Sequence, residues 1–266
     1  MIVTEGDFMQ IGISSSCLYP MNTEEALRTV GELGAKTAEI FFNSPSELEN
    51  PLLRELKAIR HFYGMEIRSV HPFTSAYETY LLFSDYERRT LDGIEFYKRY
   101  FAAANELGAE MVVLHGGRSV ARIEPDRYAE NYLLLHSAAR ESGIYIAHEN
   151  VHNHLCSDPA FMKTIADNVG EEFRMVLDIK QCRRCDVSED EYIRLLGDKI
   201  YQVHISDCLG DEDCLAPGAG DYDFKALFDK LGAVGYNRSV LIELYRKNFG
   251  EISELSAAKA YLENIQ

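Results

Sequence analysis

Short apolar runs alternate with longer polar segments along almost the whole chain. The runs have the length of buried strands, and several of the segments between them begin at capping residues and end at a glycine, as helices do. Asp158 and Ser188 are such candidate helix caps, and Gly34 and Gly108 are such candidate helix ends. The pattern predicts eight strands, at residues 10–14, 38–42, 67–72, 111–115, 145–149, 175–178, 200–204 and 240–243.

Strands that alternate with helices predict a parallel sheet, and eight such units predict a closed (β/α)8 TIM barrel. We expect one α/β domain over residues 1–266, with residues 1–8 as a loose N-terminal arm. An open, doubly wound sheet is the alternative. No GxGxxG motif follows the first strand and no GxxxxGK[ST] loop occurs, so nothing in the sequence supports a nucleotide site.

The overall composition narrows the class of partner. The chain has 27 lysines and arginines against 43 acidic residues, a net charge of −16, which disfavours nucleic acid. No apolar run has membrane-spanning length, so we expect no membrane partner. The six cysteines and the lack of a signal peptide pattern are typical of reduced thiols, so we expect a cytoplasmic protein. The sequence leaves the oligomeric state open, with a homodimer or a tetramer both compatible.

Four of the predicted strands end on a charged or metal-binding side chain: Glu149, Asp178, His204 and Glu243. An unpaired buried carboxylate is costly, so an acidic residue at the tip of a buried strand implies a cation nearby. In a barrel the carboxyl ends of the strands share one face. The four side chains therefore form a ligand set for one divalent cation. The alternative is four separate polar residues, each satisfied by its own neighbour.

Two further histidines end the third and fourth predicted strands. His71 and His115 could bind a second cation bridged by Glu149, or contact a substrate through hydrogen bonds. Asp207, three residues after His204, is either a residue that holds one of the metal ligands in place or a loop carboxylate that faces water.

Basic residues on the predicted loops beyond the strand ends could bind an anionic group of a substrate. Arg246 is one candidate for substrate binding. Four others have the same placement: Arg118, Lys180, Arg183 and Arg184. For any one of them the alternative is a solvated surface charge.

Short motifs around the strand ends resemble those of a known family. They are Glu-Asn at 149–150, Leu-Asp at 177–178, Val-His-Ile-Ser-Asp at 203–207, Pro-Gly-Ala-Gly at 217–220 and Leu-Ile-Glu at 241–243. Together they resemble the xylose isomerase-like TIM barrel superfamily, which includes sugar epimerases, inosose dehydratase and endonuclease IV. The resemblance implies that the four strand-end ligands bind one divalent metal, usually manganese, with zinc, cobalt and magnesium as alternatives. It also implies that the two glutamates move protons.

Two positions depart from the pattern of that family. Gln181 stands where the family often carries a histidine, three residues after the strand-six aspartate, and we expect it to contact substrate. The loop at 208–211 lacks the arginine that many epimerases have there. A later Asp-x-His motif, which endonuclease IV needs for a further zinc ion, is also missing, and this loss and the acidic charge both disfavour cleavage of nucleic acid.

The leading hypothesis is a metal-dependent isomerase or epimerase that acts on a small sugar or hydroxy-ketone. One of Glu149 and Glu243 would take a carbon-bound proton to give an enediolate, and the other would return it. A metal-dependent hydrolase or dehydratase is the first alternative, and a second metal bound by His71 and His115 would favour it. A non-catalytic barrel that binds a sugar through its metal is the second.

Overall fold

Eight parallel strands close into a barrel in the computed structural model, which describes residues 9–266. Each barrel strand pairs with the next one along the chain, and the last pairs with the first. A two-stranded antiparallel hairpin, β8 and β9, precedes the last barrel strand. The strands are β1 (Gln10–Ser14), β2 (Thr37–Phe42), β3 (Glu66–Pro72), β4 (Met111–Leu114), β5 (Tyr145–Glu149), β6 (Met175–Asp178), β7 (Ile200–Ile205), β8 (Asp207–Leu209), β9 (Glu212–Leu215) and β10 (Ser239–Ile242).

Helices connect the barrel strands and cover the outside of the barrel. They are α1 (Thr23–Glu32), α2 (Leu52–Tyr63), α3 (Glu78–Leu81), α4 (Glu87–Leu107), α5 (Pro125–Glu141), α6 (Pro159–Val169), α7 (Ile179–Arg184), α8 (Glu189–Leu196), α9 (Phe224–Ala233) and α10 (Ser253–Ile265). Two predicted caps are confirmed, since Asp158 accepts the backbone N–H of Ala160 and Ser188 that of Asp190. Within residues 9–266, no helix has the length and apolar character needed to cross a membrane.

The barrel interior follows from the two-residue period of its strands, because alternate side chains of a strand lie on the same face. On β5, Tyr145, Ala147 and Glu149 share the inner face, and Ala147 packs there against Met111 and Val113 of β4. The other face of each strand packs against the helices in one large apolar core. Along the inner face of the barrel, apolar side chains therefore give way to polar ones at the carboxyl ends of the strands.

The structure confirms the predicted single barrel and differs from the prediction mainly at the connections. The loop expected after the sixth strand is helix α7, which begins directly after Asp178 because that carboxylate caps it. The loop expected after the seventh strand contains the hairpin of β8 and β9. The predicted helix end at Gly108 is confirmed, since this residue is the C-cap of α4. The predicted loose arm, residues 1–8, lies outside the described residues.

Candidate metal centre

The four predicted ligands meet at the carboxyl end of the barrel. Glu149 and Asp178 are the last residues of β5 and β6, His204 lies on β7, and Glu243 follows β10 directly. Because these four strands are neighbours in the barrel, one ligand atom from each side chain lies within 4.8 Å of those of the other three. Glu149, Asp178 and His204 are buried, and Glu243 is only partly exposed. Four side chains that are distant in sequence therefore form one polar cluster, which we call the tetrad.

His204 turns one ring nitrogen toward the other members of the tetrad. Its Nδ1 lies 3.6 Å from Glu149 Oε1 and 3.6 Å from Glu243 Oε2. This buried nitrogen has no hydrogen-bond partner in the part of the chain that the structure describes. The nearby carboxylates of Glu39 and Glu243 outweigh the effect of burial and raise the pKa of His204 well above its usual value. The Nδ1 side of the ring thus faces carboxylates of the tetrad.

Glu39 contacts the opposite side of the same imidazole, and sequence reasoning missed it. Its Oε2 lies 3.2 Å from His204 Nε2 and accepts hydrogen bonds from Ser69 Oγ at 2.6 Å and Gln202 Nε2 at 2.9 Å. Its Oε1 accepts the hydroxyl of Ser14 at 2.9 Å. Burial opposes ionisation, but His204 outweighs it and lowers the pKa of Glu39 to about 2.

The anion of Glu39 favours a proton on Nε2, so Nδ1 is the nitrogen that would give up its proton and turn a lone pair toward a cation in the tetrad, as in metal sites where a carboxylate orients a ligating histidine. Glu39 is therefore a positioning residue for His204. The signal in the sequence was a lone glutamate on an inward-facing position of a strand, between Ala38 and Ile40.

Lys180 lies inside the tetrad, so its expected place on a rim loop is wrong. It stands in the first turn of α7, which brings its side chain back over the end of β6. Its Nζ is 2.7 Å from Asp178 Oδ2 and 2.7 Å from Glu243 Oε2, and the residue is 4% exposed. Burial lowers the pKa of Lys180, but Asp178 and Glu243 outweigh it, so the pKa is raised well above its usual value and the group is an ammonium.

His71 and His115 adjoin the tetrad through Glu149. Their Nε2 atoms are 3.1 Å apart and lie 3.5 and 3.2 Å from Glu149 Oε2. Burial lowers the pKa of His71, but Glu149 and other carboxylates outweigh it and raise the pKa to about 9, whereas burial lowers the pKa of His115. The pair therefore combines one imidazolium with one neutral imidazole. One nitrogen from each histidine and one oxygen of Glu149 also lie within 4.8 Å of one another.

A cavity of about 320 Å³ opens beside the tetrad, where Glu149 and Glu243 form part of its lining. Tyr19, Phe41 and Tyr245 form its aromatic lining, and Gln181 reaches it while its side-chain oxygen accepts the backbone N–H of His152 at 3.1 Å. The whole lining is Ser16, Tyr19, Phe41, His71, His115, Glu149, Lys180, Gln181, Glu243, Leu244 and Tyr245. The cavity thus places an apolar and aromatic wall beside the charged groups, as small-molecule sites do.

Two other predicted residues make local contacts. Arg246 donates to the backbone carbonyls of Phe249 at 2.9 Å and Gly250 at 3.0 Å. Asp207 is buried, and its oxygens accept four backbone N–H groups of the following loop, so it is not a carboxylate that faces water. Both side chains hold backbone around the site.

The chemistry of the tetrad fits a divalent cation. Three carboxylates and one imidazole are the oxygen and nitrogen donors that manganese, zinc and magnesium take in proteins. The buried Nδ1 of His204, which has no hydrogen-bond partner among residues 9–266, points into the same space, and Glu39 stands behind the ring. The fold and this site together define a (β/α)8 barrel with a carboxylate and imidazole cluster at its functional face.

Comparison with known proteins places the chain in one family. The family model described as xylose isomerase-like TIM barrel matches residues 27–266, and the chain belongs to this family. The curated 3-dehydro-D-guloside 4-epimerase of Escherichia coli (strain K12) is 24% identical over 278 residues, which cover 97% of this chain and 98% of that protein.

Solved structures of the same fold include the 3-keto-D-glucoside 4-epimerase of E. coli, with a TM-score of 0.77, 21% identity and coverage of 96% of this chain and 99% of that one. D-psicose 3-epimerase from Clostridium cellulolyticum H10 gives a TM-score of 0.78, 19% identity and coverage of 97% and 99%. At these identities the likeness of the structures shows the fold.

Proposed function

We propose that this protein is a sugar epimerase that depends on a divalent metal ion. The observation that carries the proposal is the convergence of Glu149, Asp178, His204 and Glu243, with one ligand atom of each within 4.8 Å of the others, beside a cavity of about 320 Å³. The named relatives are sugar epimerases, which supports an enzyme of the isomerase or epimerase kind.

Glu149, Asp178, Glu243 and the Nδ1 atom of His204 would hold the ion. Manganese is the ion that we propose, and zinc, cobalt and magnesium suit the same donors. A bound divalent ion supplies a Lewis acid, which stabilises negative charge on an oxygen of the substrate.

The two glutamates are the groups that we propose to move the proton. One of them takes the proton from the carbon beside a carbonyl group, and the electron pair of that C–H bond moves into the carbonyl to give an enediolate. The other glutamate, which enters the step as a carboxylic acid, gives its proton to the opposite face of the same carbon, which inverts the carbon and restores the carbonyl. Proton exchange with water then resets the two glutamates. General acid–base help of this kind contributes roughly 10²–10⁴-fold to the rate.

The histidine pair and the aromatic wall would bind the sugar. His71, as an imidazolium, donates a hydrogen bond to a substrate oxygen, and His115 lies beside it as a neutral ring. Tyr19 and Tyr245 offer exposed ring faces on which a sugar stacks. We propose a keto-sugar or a keto-glycoside as the substrate class, since the chemistry needs a carbonyl beside the carbon that is inverted, and the relatives named above act on sugars and glycosides.

A two-metal hydrolase or dehydratase is the second candidate, and one observation favours it. His71, His115 and Glu149 also bring three ligand atoms within 4.8 Å of one another. Elemental analysis of the wild type and of His115→Ala separates the candidates. Two ions per chain, falling to one in the variant, support the hydrolase or dehydratase, and one ion in both supports the epimerase.

Exchange of a carbon-bound hydrogen with solvent tests the proposed epimerase. In deuterated water with Mn²⁺, NMR of a panel of keto-sugars and keto-glycosides is expected to show exchange beside the carbonyl and formation of the epimer, and EDTA is expected to stop both. Glu149→Gln and Glu243→Gln should each lower the rate at least a hundredfold, whereas the exposed Glu55→Gln should leave it unchanged.

The alternatives to an epimerase give other results in the same experiment. Sugar binding by calorimetry without any exchange across the panel would contradict the epimerase and support a binding barrel. Loss of exchange with retained binding in the two glutamine variants would exclude the binding barrel.

A further inference from the structure

The side chain of Lys180 is held against two of the four proposed metal ligands. Helix α7 starts directly after β6, and Asp178 caps it by accepting the backbone N–H of Lys180 at 2.7 Å. This places Lys180 in the first turn, with its Nζ 2.7 Å from Asp178 Oδ2 and 2.7 Å from Glu243 Oε2. Asp178 thus both caps the start of α7 and contacts the ammonium of Lys180.

A buried ammonium and a divalent ion compete for these carboxylates. Only 3% of the Lys180 side chain is exposed, so water screens its charge little. An ion bound to the same two carboxylates would bring two positive charges close together inside the protein, where their repulsion is strong. The ammonium must therefore move before the ion takes its full set of ligands.

The cavity offers a place to which the ammonium can move. Lys180 is one of the residues that line it, and the ring centre of Tyr245 lies 5.6 Å from Nζ. An aromatic face at this distance attracts a cation. The lysine side chain is long and unbranched, so we expect it to move along the cavity by rotation about its own bonds.

We propose that Lys180 is an intrinsic cation of the tetrad that exchanges with the divalent ion. This inference rests on the proposed function, because it takes the tetrad as the metal site. Without the ion, the ammonium holds Asp178 and Glu243 together and keeps the site folded. When the ion binds, the ammonium leaves for the cavity, so the affinity for metal is lower than the same four ligands would have alone.

Metal titration of lysine variants tests the exchange. Mn²⁺ is titrated by calorimetry, with free Mn²⁺ followed by its electron paramagnetic resonance signal, into the wild type, Lys180→Gln, Lys180→Met and Lys180→Arg. We expect the Kd to fall at least tenfold in the glutamine and methionine variants and to stay near the wild-type value in the arginine variant, which keeps the charge. Lys199→Gln is the matched control and should not change the Kd, because Lys199 directly precedes β7, at the end of that strand away from the tetrad.

Thermal unfolding is a second measurement that does not depend on activity. The rise in Tm on adding saturating Mn²⁺ is expected to be larger for Lys180→Gln than for the wild type, because the wild type already has a cation in the tetrad. Glutamine can still donate hydrogen bonds to the two carboxylates. Lys180→Gln therefore avoids unfolding caused only by the loss of these donors. A Lys180→Met chain that folds only when Mn²⁺ is present would also support the exchange.

The outcomes separate this inference from the proposed function. An unchanged or weaker affinity in Lys180→Gln, with normal binding by the wild type, would overturn the exchange and leave the metal site standing. Failure of all the variants and of the wild type to bind Mn²⁺ would overturn both. Binding by Lys180→Gln alone would support the lysine as the cation that keeps metal out.

Discussion

Single side chains set the protonation and direction of the imidazole at the centre of the site. His204 has the other members of the tetrad on its Nδ1 side and Glu39 on its Nε2 side. Glu39 is itself fixed by Ser14, Ser69 and Gln202, so its carboxylate has little freedom to turn away. A ligand held from behind in this way loses less entropy when an ion binds, and partners of this kind often change metal affinity when they are replaced.

Replacing Glu39 tests its positioning role at the residue scale. In Glu39→Gln the anion that favours a proton on Nε2 of His204 is lost, so the Kd for Mn²⁺ is expected to rise by roughly 10–100-fold. Calorimetry measures this, with Glu55→Gln on α2 as the matched control. The proton signals of the His204 ring should also shift in NMR spectra, which a merely structural role would not require. An unchanged affinity in a folded variant would contradict the role.

At the scale of elements, one carboxylate organises the segment that joins β7 to α9. Asp207 begins the hairpin of β8 and β9, and its oxygens accept the backbone N–H groups of Cys208, Gly218, Gly220 and Tyr222. A side chain at Gly220 would lie 2.1 Å from the carbonyl oxygen of Cys208, so this close approach requires glycine. The motif residues of 203–207 and 217–220 are thus neighbours in space.

The same hairpin is tied to the rim of the cavity. Arg184 of α7 donates from Nε to Asp213 on β9 at 2.6 Å and from its guanidinium to the hydroxyl of Tyr245 at 2.8 Å. Tyr245 lines the cavity. An element that sequence reasoning treated as a loop therefore helps to place one wall of the proposed substrate site.

Replacing Asp207 with asparagine would disturb the segment that joins β7 to α9, although the two side chains have nearly the same shape. One of the two oxygens becomes an NH₂ group, so two of the four backbone N–H groups lose their acceptor. We expect Asp207→Asn to lower the free energy of unfolding by about 2–4 kcal/mol, measured by urea titration, and to make residues 208–222 more sensitive to proteolysis. Asp221→Asn in the same segment is exposed and should change little; equal stability of both variants would contradict the anchoring role.

At the scale of the whole molecule, a buried carboxyl group links distant parts of the barrel wall. Glu78, at the start of α3, accepts the hydroxyl of Tyr97 on α4 at 2.8 Å and the backbone N–H of Gly116 beyond β4 at 2.5 Å. Burial raises the pKa of Glu78 from 4.5 to about 8, against the effect of these donors and of His71. The folded protein therefore keeps a proton on this group at a pH where the unfolded chain has lost it.

Global stability should depend on pH through this group. Because its pKa is raised on folding, the contribution of Glu78 is complete below about pH 4.5 and is lost as the pH rises through about 8. The slope is about 1.4 kcal/mol per pH unit for one proton. Urea unfolding at pH 5 and pH 8 should show a larger loss of stability in the wild type than in Glu78→Gln.

Glu87→Gln on the exposed side of α4 is the control for this measurement and should behave as the wild type does. Equal pH dependence in the wild type and Glu78→Gln would mean that the carboxyl group is already ionised in the folded protein. In that case the donors around Glu78, and not its burial, decide its protonation.

The sequence by itself determined the barrel and the four members of the tetrad. The alternation of apolar runs and helical segments specifies parallel strands, and closure of such a sheet brings its carboxyl ends to one face whatever the detailed packing is. Glu149, Asp178, His204 and Glu243 could therefore be placed together from their positions at strand ends alone.

Only the tertiary structure decided what surrounds these four residues. Glu39 meets His204 because both side chains point into the barrel from strands that have only β1 and β10 between them. Lys180 is buried because α7 starts without a loop after Asp178. Whether a charge faces a ligand, a backbone or water depends on distances across the fold. Those distances cannot be predicted from the hydrophobic period of a single strand or helix.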